Sequence, residues 1–226
     1  QGGGKAEGLK RIVDCALRVP ETWVLLDADS ALLDQETSQL ETLHETIESF
    51  AVRSSAVGED GLQHSFAGMF TTVLDVPRHE LHSAVREVVG SLSSSQTIGY
   101  QMLREQSISK MCVVIQEMIN SDYAGVLFTE LPTEHSSGVM LIEVVRGIGE
   151  QLVSGKVTPL SIRYNSVTGM SRVLQAGAQN ITIDDCWFLE ELISGAQTLR
   201  EDPARATRDG DLPRVGVEVY LPREAP

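Results

Sequence analysis

Residues 51–60 read Ala51-Val-Arg-Ser-Ser-Ala-Val-Gly-Glu-Asp60. The apolar start of this stretch predicts a buried strand, and its polar end predicts a turn. Arg53 would stand at the end of that strand, where the five donors of its guanidinium suit the oxygens of a phosphate. Ser54, Ser55 and Gly58 would let the backbone approach a ligand and would offer further donors. An ordinary strand followed by a polar turn is the alternative, and this stretch alone leaves the two interpretations equal.

The composition is that of a globular protein with one large domain or two lobes around a cleft. Of the 226 residues, 42% are hydrophobic and 22% are charged. The formal net charge of −14 argues against binding to nucleic-acid backbones. No apolar run approaches the roughly 18 residues that a membrane span needs. The three cysteines have no C-x-x-C spacing and no apolar leader is seen, so we expect a cytoplasmic protein without disulfide bonds or a zinc site.

The N-terminal residues predict a second place for a phosphate. Residues 2–10 lead into a helix that is predicted to run to about Leu17, because apolar residues recur at helical spacing. A glycine-rich lead followed by Lys5 would bring free N–H groups and a cation together at the helix start. The pattern is not a Walker A loop. A flexible leader is the alternative.

The rest of the first half is predicted to form helices and two further strands. We expect helices over residues 34–49, 78–92 and 96–106 and short strands over residues 23–26 and 69–76. The strand 69–76 begins after Gly68 and contains Thr72, and the bend before it could cover a ligand. A plain surface hairpin is the alternative.

The second half predicts strands that carry unexpected polar residues. Strands are expected over 111–119, 124–129, 138–145, 152–157, 160–164, 171–174 and 215–221, with a helix over 186–200. Gln116 and Glu117 interrupt the first of these, and Glu143 and Glu218 lie within two others. A buried strand excludes such side chains unless they are hydrogen-bonded. The edge of a nucleotide-base pocket would satisfy Gln116 and Glu117, and a strand end that emerges into water is the alternative.

The candidate site residues predict a nucleotide site built from two lobes. The candidate cations and glycine turns stand in residues 1–110, and the strands that carry Gln116, Glu117, Glu143 and Glu218 stand in residues 111–226. Phosphate donors from the first lobe and carboxylates for Mg²⁺ and ribose from the second describe an ATP site between two α+β lobes. The five histidines are scattered, and no Ser-His-Asp or Cys-His arrangement is recognisable.

Seven short blocks stand in order between residues 2 and 160. They are Gly3-Gly-Lys-Ala6 with Val19-Pro20, Ala51-Val-Arg-Ser-Ser-Ala56 with Glu59-Asp60, Ser65-Phe-Ala-Gly68, Val114-Ile-Gln-Glu-Met-Ile119, Ala124-Gly-Val-Leu-Phe-Thr129, Ile142-Glu143 with Gly147-Ile-Gly-Glu150, and Val153-Ser-Gly-Lys-Val-Thr-Pro159. Together they resemble the nucleotide-binding domain of the phosphoenolpyruvate synthase and pyruvate phosphate dikinase family. Each block is weak alone, and their shared order makes the resemblance specific.

The resemblance implies an ATP-grasp-like fold, with two α+β lobes and mainly antiparallel sheets around a nucleotide cleft. The first lobe would be residues 1–110 and the second residues 111–226. Lys5 and Arg53 would be the catalytic residues that hold the ATP phosphates. Gly68 and Thr72 would belong to the loop over those phosphates.

The resemblance also assigns roles to the later strands. The hinge strand would bind the nucleotide through Gln116, Glu117, Met118 and Ile119, the last two offering backbone groups to the adenine. Glu143 would line the nucleotide cleft. Glu218 would bind Mg²⁺ in the final strand of the lobe.

The activity implied is that of an ATP-dependent phosphotransferase of the kinase or dikinase class. Phosphoryl would pass from Mg-ATP to a histidine on a separate domain or to a small molecule, so a phosphohistidine domain and a substrate domain outside this chain are the expected partners. Met69 and Leu160 replace the family's usual glutamine and acidic residue, and the first lobe is short. The glutamine and arginine expected after Glu218 are also missing. These departures favour the alternative, a noncatalytic nucleotide-binding or interaction domain that has lost transfer.

Overall fold

A computed structural model describes residues 2–26, 46–56, 60–61, 64–65, 71–91, 111–129, 138–201 and 216–222. Contacts between residues divide the chain into two units, Gln1–Met118 and Ile119–Pro226. Each unit has one main sheet whose strands all pair antiparallel, with helices packed on it. The predicted class is therefore confirmed as α+β, with mainly antiparallel sheets in two units.

The described residues of the first unit form two helices, a four-stranded sheet and a small hairpin. Its elements in chain order are α1 (Gly3–Asp14), β1 (Thr22–Leu25), β2 (Ser49–Ala56), β3 (Asp60–Gly61), β4 (His64–Ser65), β5 (Thr72–Pro77), a 3-10 turn (Arg78–Glu80), α2 (Leu81–Gly90) and β6 (Met111–Glu117). The main sheet has the order β1-β6-β2-β5, and β3 pairs with β4.

The centre of the first sheet is β6, because its sequence suits burial on both faces. Residues 112–115 of this strand are fully buried. A continuous apolar run of this kind is typical of an interior strand. Since β6 pairs with β1 and β2, it belongs to the first unit.

The two faces of the first sheet pack against different helices. Phe50 and Val52 of β2 face a core that contains the apolar stripe of α2. That stripe recurs at the i, i+3, i+4 and i+7 spacing of a helix face and consists of Leu81, Ala84, Val85 and Val88. Alternate residues of a strand point to opposite faces, so Arg53 and Ser55 lie on the other face, where the start of α1 packs.

In the second unit, the part of the chain that the structure describes forms a five-stranded sheet and one long helix. Its elements are β7 (Ser121–Phe128), β8 (Val139–Arg146), α3 (Glu150–Val153), β9 (Leu160–Asn165), β10 (Met170–Gln175), a 3-10 turn (Ile183–Asp185), α4 (Leu189–Glu201) and β11 (Gly216–Pro222). The sheet order is β10-β9-β8-β7-β11.

One face of this second sheet forms the core of the unit. Ile142 and Leu127 pack with Ile162 and with the apolar side of α4, which includes Ala196. Residues of β8 that alternate with Ile142, among them Glu143, therefore lie on the sheet face opposite α4.

Three details differ from the sequence predictions. The division of the chain falls between Met118 and Ile119 and not between 110 and 111, because β6 pairs inside the first sheet. Residues 152–157 were predicted as a strand, but the chain forms the short helix α3 and then a turn. Gly155 has a φ of 66° and accepts the left-handed conformation that commonly ends a helix. Ser49, predicted as the end of a helix, begins β2.

Other predictions are confirmed in type or fall beyond what is described. The predicted strands in the second half match β6 to β11 with shifts of a few residues, residues 152–157 excepted. The predicted helices over residues 34–45 and 96–106 lie outside the described residues. None of the helices in the described ranges is long and apolar enough to cross a bilayer.

Candidate functional site

The two predicted phosphate cations lie on elements that touch each other in the first unit. Arg53 is half-buried in β2, and Lys5 is half-buried near the start of α1. Ser55 connects the two elements, because its Oγ donates to the carbonyl of Gly2 at 2.8 Å and accepts from the N–H of Ala6 at 3.2 Å. The fold thus brings the helix start that carries Lys5 against the strand that carries Arg53.

Strand register places Thr72 beside Arg53. Arg53 is paired with Thr72 of β5 on one side and with Val114 of β6 on the other. Directly opposed residues of antiparallel strands have Cβ atoms about 4.5–5.5 Å apart on one face of the sheet. Arg53 and Thr72 are therefore neighbours on the face where α1 packs. Gly68, which was predicted for the same loop, lies outside the described residues.

The serines after Arg53 do not have the role that the sequence suggested. Ser54 is 1% exposed and alternates to the face that α2 covers. Ser55 is fully buried, and its single hydroxyl hydrogen is committed to Gly2. A serine hydroxyl has only one donor, so the Ser55 side chain cannot also donate to a phosphate.

Gln116 has a partner inside the sheet. Its side chain is buried, and its Nε2 donates to Oγ1 of Thr22 at 3.0 Å. Thr22 is the residue opposite Gln116 in β1, and its hydroxyl donates in turn to the carbonyl of Pro20 at 2.7 Å. The buried amide is therefore explained by strand pairing, and the base pocket that the sequence suggested as its partner is not required.

Some of the backbone groups predicted to form the hinge are hydrogen-bonded inside the first unit. The N–H of Glu117 donates to the carbonyl of Glu21 at 2.8 Å, and the N–H of Met118 donates to the carbonyl of Ser49 at 3.0 Å. Both amides are engaged by the first unit. The carbonyl of Met118 and the backbone groups of Ile119 stay as candidates for binding an adenine.

The two predicted carboxylates of the second unit stand in one row of its sheet. Glu143 of β8 is paired with Val126 of β7, and Val126 is paired with Glu218 of β11. Residues paired in this way share a sheet face, which here is the face opposite α4. On its other side Glu143 is paired with Ser161, whose Oγ lies 3.5 Å from Oε1 of Glu143.

This row fits a magnesium ion only in part. Strands lie about 4.8 Å apart, so the backbones at Glu143 and Glu218 are separated by roughly 10 Å. Among the described residues, no group of three or more His, Cys, Asp or Glu side chains comes together. One or two carboxylates with waters and phosphate oxygens are nevertheless the usual protein contribution to a Mg²⁺ site.

Sequence reasoning missed how the glycine turn after β8 is held. The side chain of Gln179 makes two hydrogen bonds to the backbone of Arg146. Its Oε1 accepts from the N–H at 2.7 Å, and its Nε2 donates to the carbonyl at 3.4 Å. Ser121 donates to the carbonyl of Gly147 at 2.9 Å. Gln179 is 33 residues away from Arg146 in sequence, so no local pattern could have indicated this contact.

Two groups with shifted pKa values lie at the turn before α4. The N–H and hydroxyl of Thr182 hold the pKa of Asp185 below its ordinary value. Burial, followed by the charge of Asp185, raises the pKa of the Cys186 thiol to about 11. Such a thiol stays protonated at neutral pH and does not serve as a nucleophile. Neither group belongs to the predicted nucleotide site.

Comparison with known protein families gives a match over most of the chain. The family described as "Pyruvate phosphate dikinase, AMP/ATP-binding domain" matches residues 29–184. This range includes Arg53, Thr72, residues 116–119 and Glu143. Lys5 and Glu218 lie outside it.

Similar proteins include much longer ones. The chain is 37% identical to an uncharacterized phosphotransferase, YvkC of Bacillus subtilis, over 57% of this chain and 16% of that protein. It is 40% identical to a probable phosphoenolpyruvate synthase of Archaeoglobus fulgidus over 52% of this chain and 16% of that protein. The match thus spans less than a fifth of either relative's length. Among solved structures, the L-amino acid ligase from Bacillus licheniformis is 13% identical over 99% of this chain and 56% of that chain, with a TM-score of 0.37.

Proposed function

The chain belongs to the pyruvate phosphate dikinase AMP/ATP-binding domain family, and we propose that it binds ATP as the nucleotide module of a phosphotransferase. The observation that carries this proposal is the grouping in the first unit. Arg53 and Thr72 are neighbours on one sheet face, and the helix start that carries Lys5 is hydrogen-bonded to the same strand. Arg53 and Thr72 on one face, with the helix start that carries Lys5 packed against the same strand, suit the oxygens of a triphosphate.

The proposed roles follow from the charge of each group. Lys5 and Arg53 hold the phosphates and neutralise the charge that develops on their oxygens during transfer, while Gly68 and Thr72 form the loop over them. The carbonyl of Met118 and the backbone of Ile119 contact the adenine.

The carboxylates of the second unit would hold the metal. Glu143 and Glu218 are the proposed ligands of Mg²⁺, which when bound would neutralise phosphate charge. The phosphoryl acceptor is proposed to be a histidine of a separate domain or a small molecule, since the relatives that this chain matches are several times longer.

Calorimetric titration of the chain with Mg-ATP tests the binding step. We expect Arg53→Ala to weaken ATP binding by roughly 1–3 kcal/mol, because a charge-assisted contact to phosphate is lost. Arg86→Ala is the matched control, since Arg86 is exposed on α2, which packs on the opposite face of the same sheet. This control removes the same charge and should leave the affinity within about twofold.

Two outcomes would contradict the proposal in different ways. No heat of binding at millimolar Mg-ATP with folded protein would exclude an ATP site. Equal affinities of Arg53→Ala and Arg86→Ala would remove Arg53 from it. Binding without ATP–AMP exchange when a phosphohistidine domain is added in trans would favour the alternative, a nucleotide-binding domain that has lost transfer.

A further inference from the structure

The start of α1 is held by a side chain from another strand. The N-cap residue of this helix is Gly2, which has no side chain to bind the exposed N–H groups. The N–H of Ala6 and the carbonyl of Gly2 are the two groups that the first i to i−4 hydrogen bond of the helix would join. The Ser55 hydroxyl contacts both, accepting from Ala6 and donating to Gly2. It therefore bridges the first turn of α1 from outside the helix.

The backbone of α1 also comes unusually close to β2 at this point. Gly3 has a φ of 77°, and a Cβ atom placed on it would lie 2.3 Å from the carbonyl oxygen of Ser55. Only glycine fits such an approach, because both the conformation and the space exclude a side chain. Close packing at Gly3 and two hydrogen bonds with Ser55 thus hold the helix start against the strand.

This contact joins the two elements that carry the cations of the proposed ATP site. Lys5 directly precedes Ala6, and Arg53 lies two residues before Ser55 on the same face of β2. Ser55 is fully buried and its donor is already used, so it cannot bind phosphate itself. The geometry points to Ser55 as a positioning residue, which fixes the helix start that carries Lys5 relative to Arg53. This inference rests on the proposed ATP function.

The test compares Ser55→Ala with Ser166→Ala. Ser166 is a matched control in the second unit, because its hydroxyl also donates to a glycine carbonyl, that of Gly138 at 2.9 Å. We expect Ser55→Ala to weaken Mg-ATP binding by roughly 3- to 10-fold, because both hydrogen bonds that hold the helix start are lost. Binding of adenosine, which has no phosphate, should change less than about twofold. Ser166→Ala should bind both ligands like the wild type.

A double-mutant cycle with Lys5→Ala separates positioning from general loosening. If Ser55 acts through Lys5, Ser55→Ala should have almost no further effect on ATP affinity in a Lys5→Ala chain. An equal loss in both backgrounds, or a parallel loss of adenosine binding, would overturn the inference. Unchanged ATP affinity of Ser55→Ala would overturn it as well.

Amide hydrogen exchange provides a readout that does not depend on ATP. Ser55→Ala should speed exchange at Ala6, because that amide loses the Ser55 hydroxyl as a hydrogen-bond acceptor. If the wild type bound no ATP, the proposed function would fail, and the exchange rate would still show whether Ser55 holds the helix. If Ser55→Ala did not fold, Gly3→Ala would displace the same helix start, with Gly8→Ala as its control because a Cβ at Gly8 meets nothing within 4 Å.

Discussion

The two sheets place opposite charges by different means. In the first unit, Arg53 lies on a sheet face where the start of α1 packs, and Lys5 arrives on that helix. In the second unit, Glu143 and Glu218 stand in one row of neighbouring strands on the face opposite α4. The placement of Lys5 relative to Arg53 therefore depends on the packing of α1 against β2, whereas the placement of Glu143 relative to Glu218 depends on strand register.

This difference shows which changes should disturb each set. Loosening the contact between α1 and β2 should separate the cations and leave the acidic row intact. Disturbing the pairing of β7 with β8 and β11 should disrupt the acidic row and leave the cations in place. Gly125 supports that pairing, because a Cβ placed on it would lie 2.5 Å from the carbonyl oxygen of Glu143.

The largest expected effect concerns the two cores. Ile115 belongs to the core of the first unit and Ile142 to that of the second, and both are almost completely buried. Replacing either by alanine should lower the free energy of unfolding by roughly 2–5 kcal/mol, through lost burial and the cavity left behind. Urea unfolding measures this loss.

Each unit contains one tryptophan that reports on its own core. Trp23 packs edge-on against Phe50 in the first unit, and Trp187 packs edge-on against Phe188 in the second. Ile115→Ala should shift the transition seen by Trp23, and Ile142→Ala the one seen by Trp187, each in a chain whose other tryptophan is phenylalanine. Equal shifts at both probes would show instead that the two cores unfold together.

A smaller effect distinguishes the carboxylates from the cations. Glu143→Gln should reduce the gain in ATP affinity that Mg²⁺ provides by roughly tenfold, because a metal ligand loses its charge. Affinity measured in EDTA should not change. Arg53→Ala should weaken binding with and without the metal.

The control for this change is Glu190→Gln, which removes one exposed charge from α4 in the same unit. It should leave the Mg²⁺ dependence as in the wild type. If Glu143→Gln and Glu190→Gln behaved alike, the acidic row would not be a metal site.

The smallest expected effect is a change in the stability of the second unit at acid pH. The pKa of Asp185 is lowered in the fold by hydrogen bonds from Thr182, so this interaction stabilises the protein above about pH 4 and is lost as pH falls through the lowered pKa. Asp185→Ala should be slightly less stable than the wild type at pH 7, and the difference should disappear as the pH falls through the lowered pKa of Asp185. Unfolding followed by Trp187 measures this difference at each pH, with Asp184→Ala as control. A difference that persisted at low pH would rule out this titration.

Much of the fold could be predicted because apolar patterning sets secondary structure locally. The run at residues 112–115 predicted an interior strand, and the stripe of α2 predicted an amphipathic helix. The error at residues 152–157 arose because a short apolar run with glycines suits either a strand or a helical turn. The unit boundary was misplaced because pairing, not composition, assigns β6 to the first sheet.

The residue types of the candidate site could be chosen from the sequence, but the contacts among these residues could not. Arg53 and Thr72 were each singled out, and only the β2–β5 register makes them neighbours. Gln116 was read as a ligand-facing amide because its partner Thr22 is 94 residues away. The role of Ser55 was misread for the same reason, since its two partners belong to a helix 49 and 53 residues away.

The sequence by itself determined which segments are strands and helices, and which of them carry cations or carboxylates, because periodicity and charge are local properties. Only the tertiary structure decided which of these residues stand together. Register brought Thr72 to Arg53 and Glu218 into the row of Glu143. A buried hydroxyl joined α1 to β2, since a polar group excluded from water must find its partners wherever the packed chain supplies them.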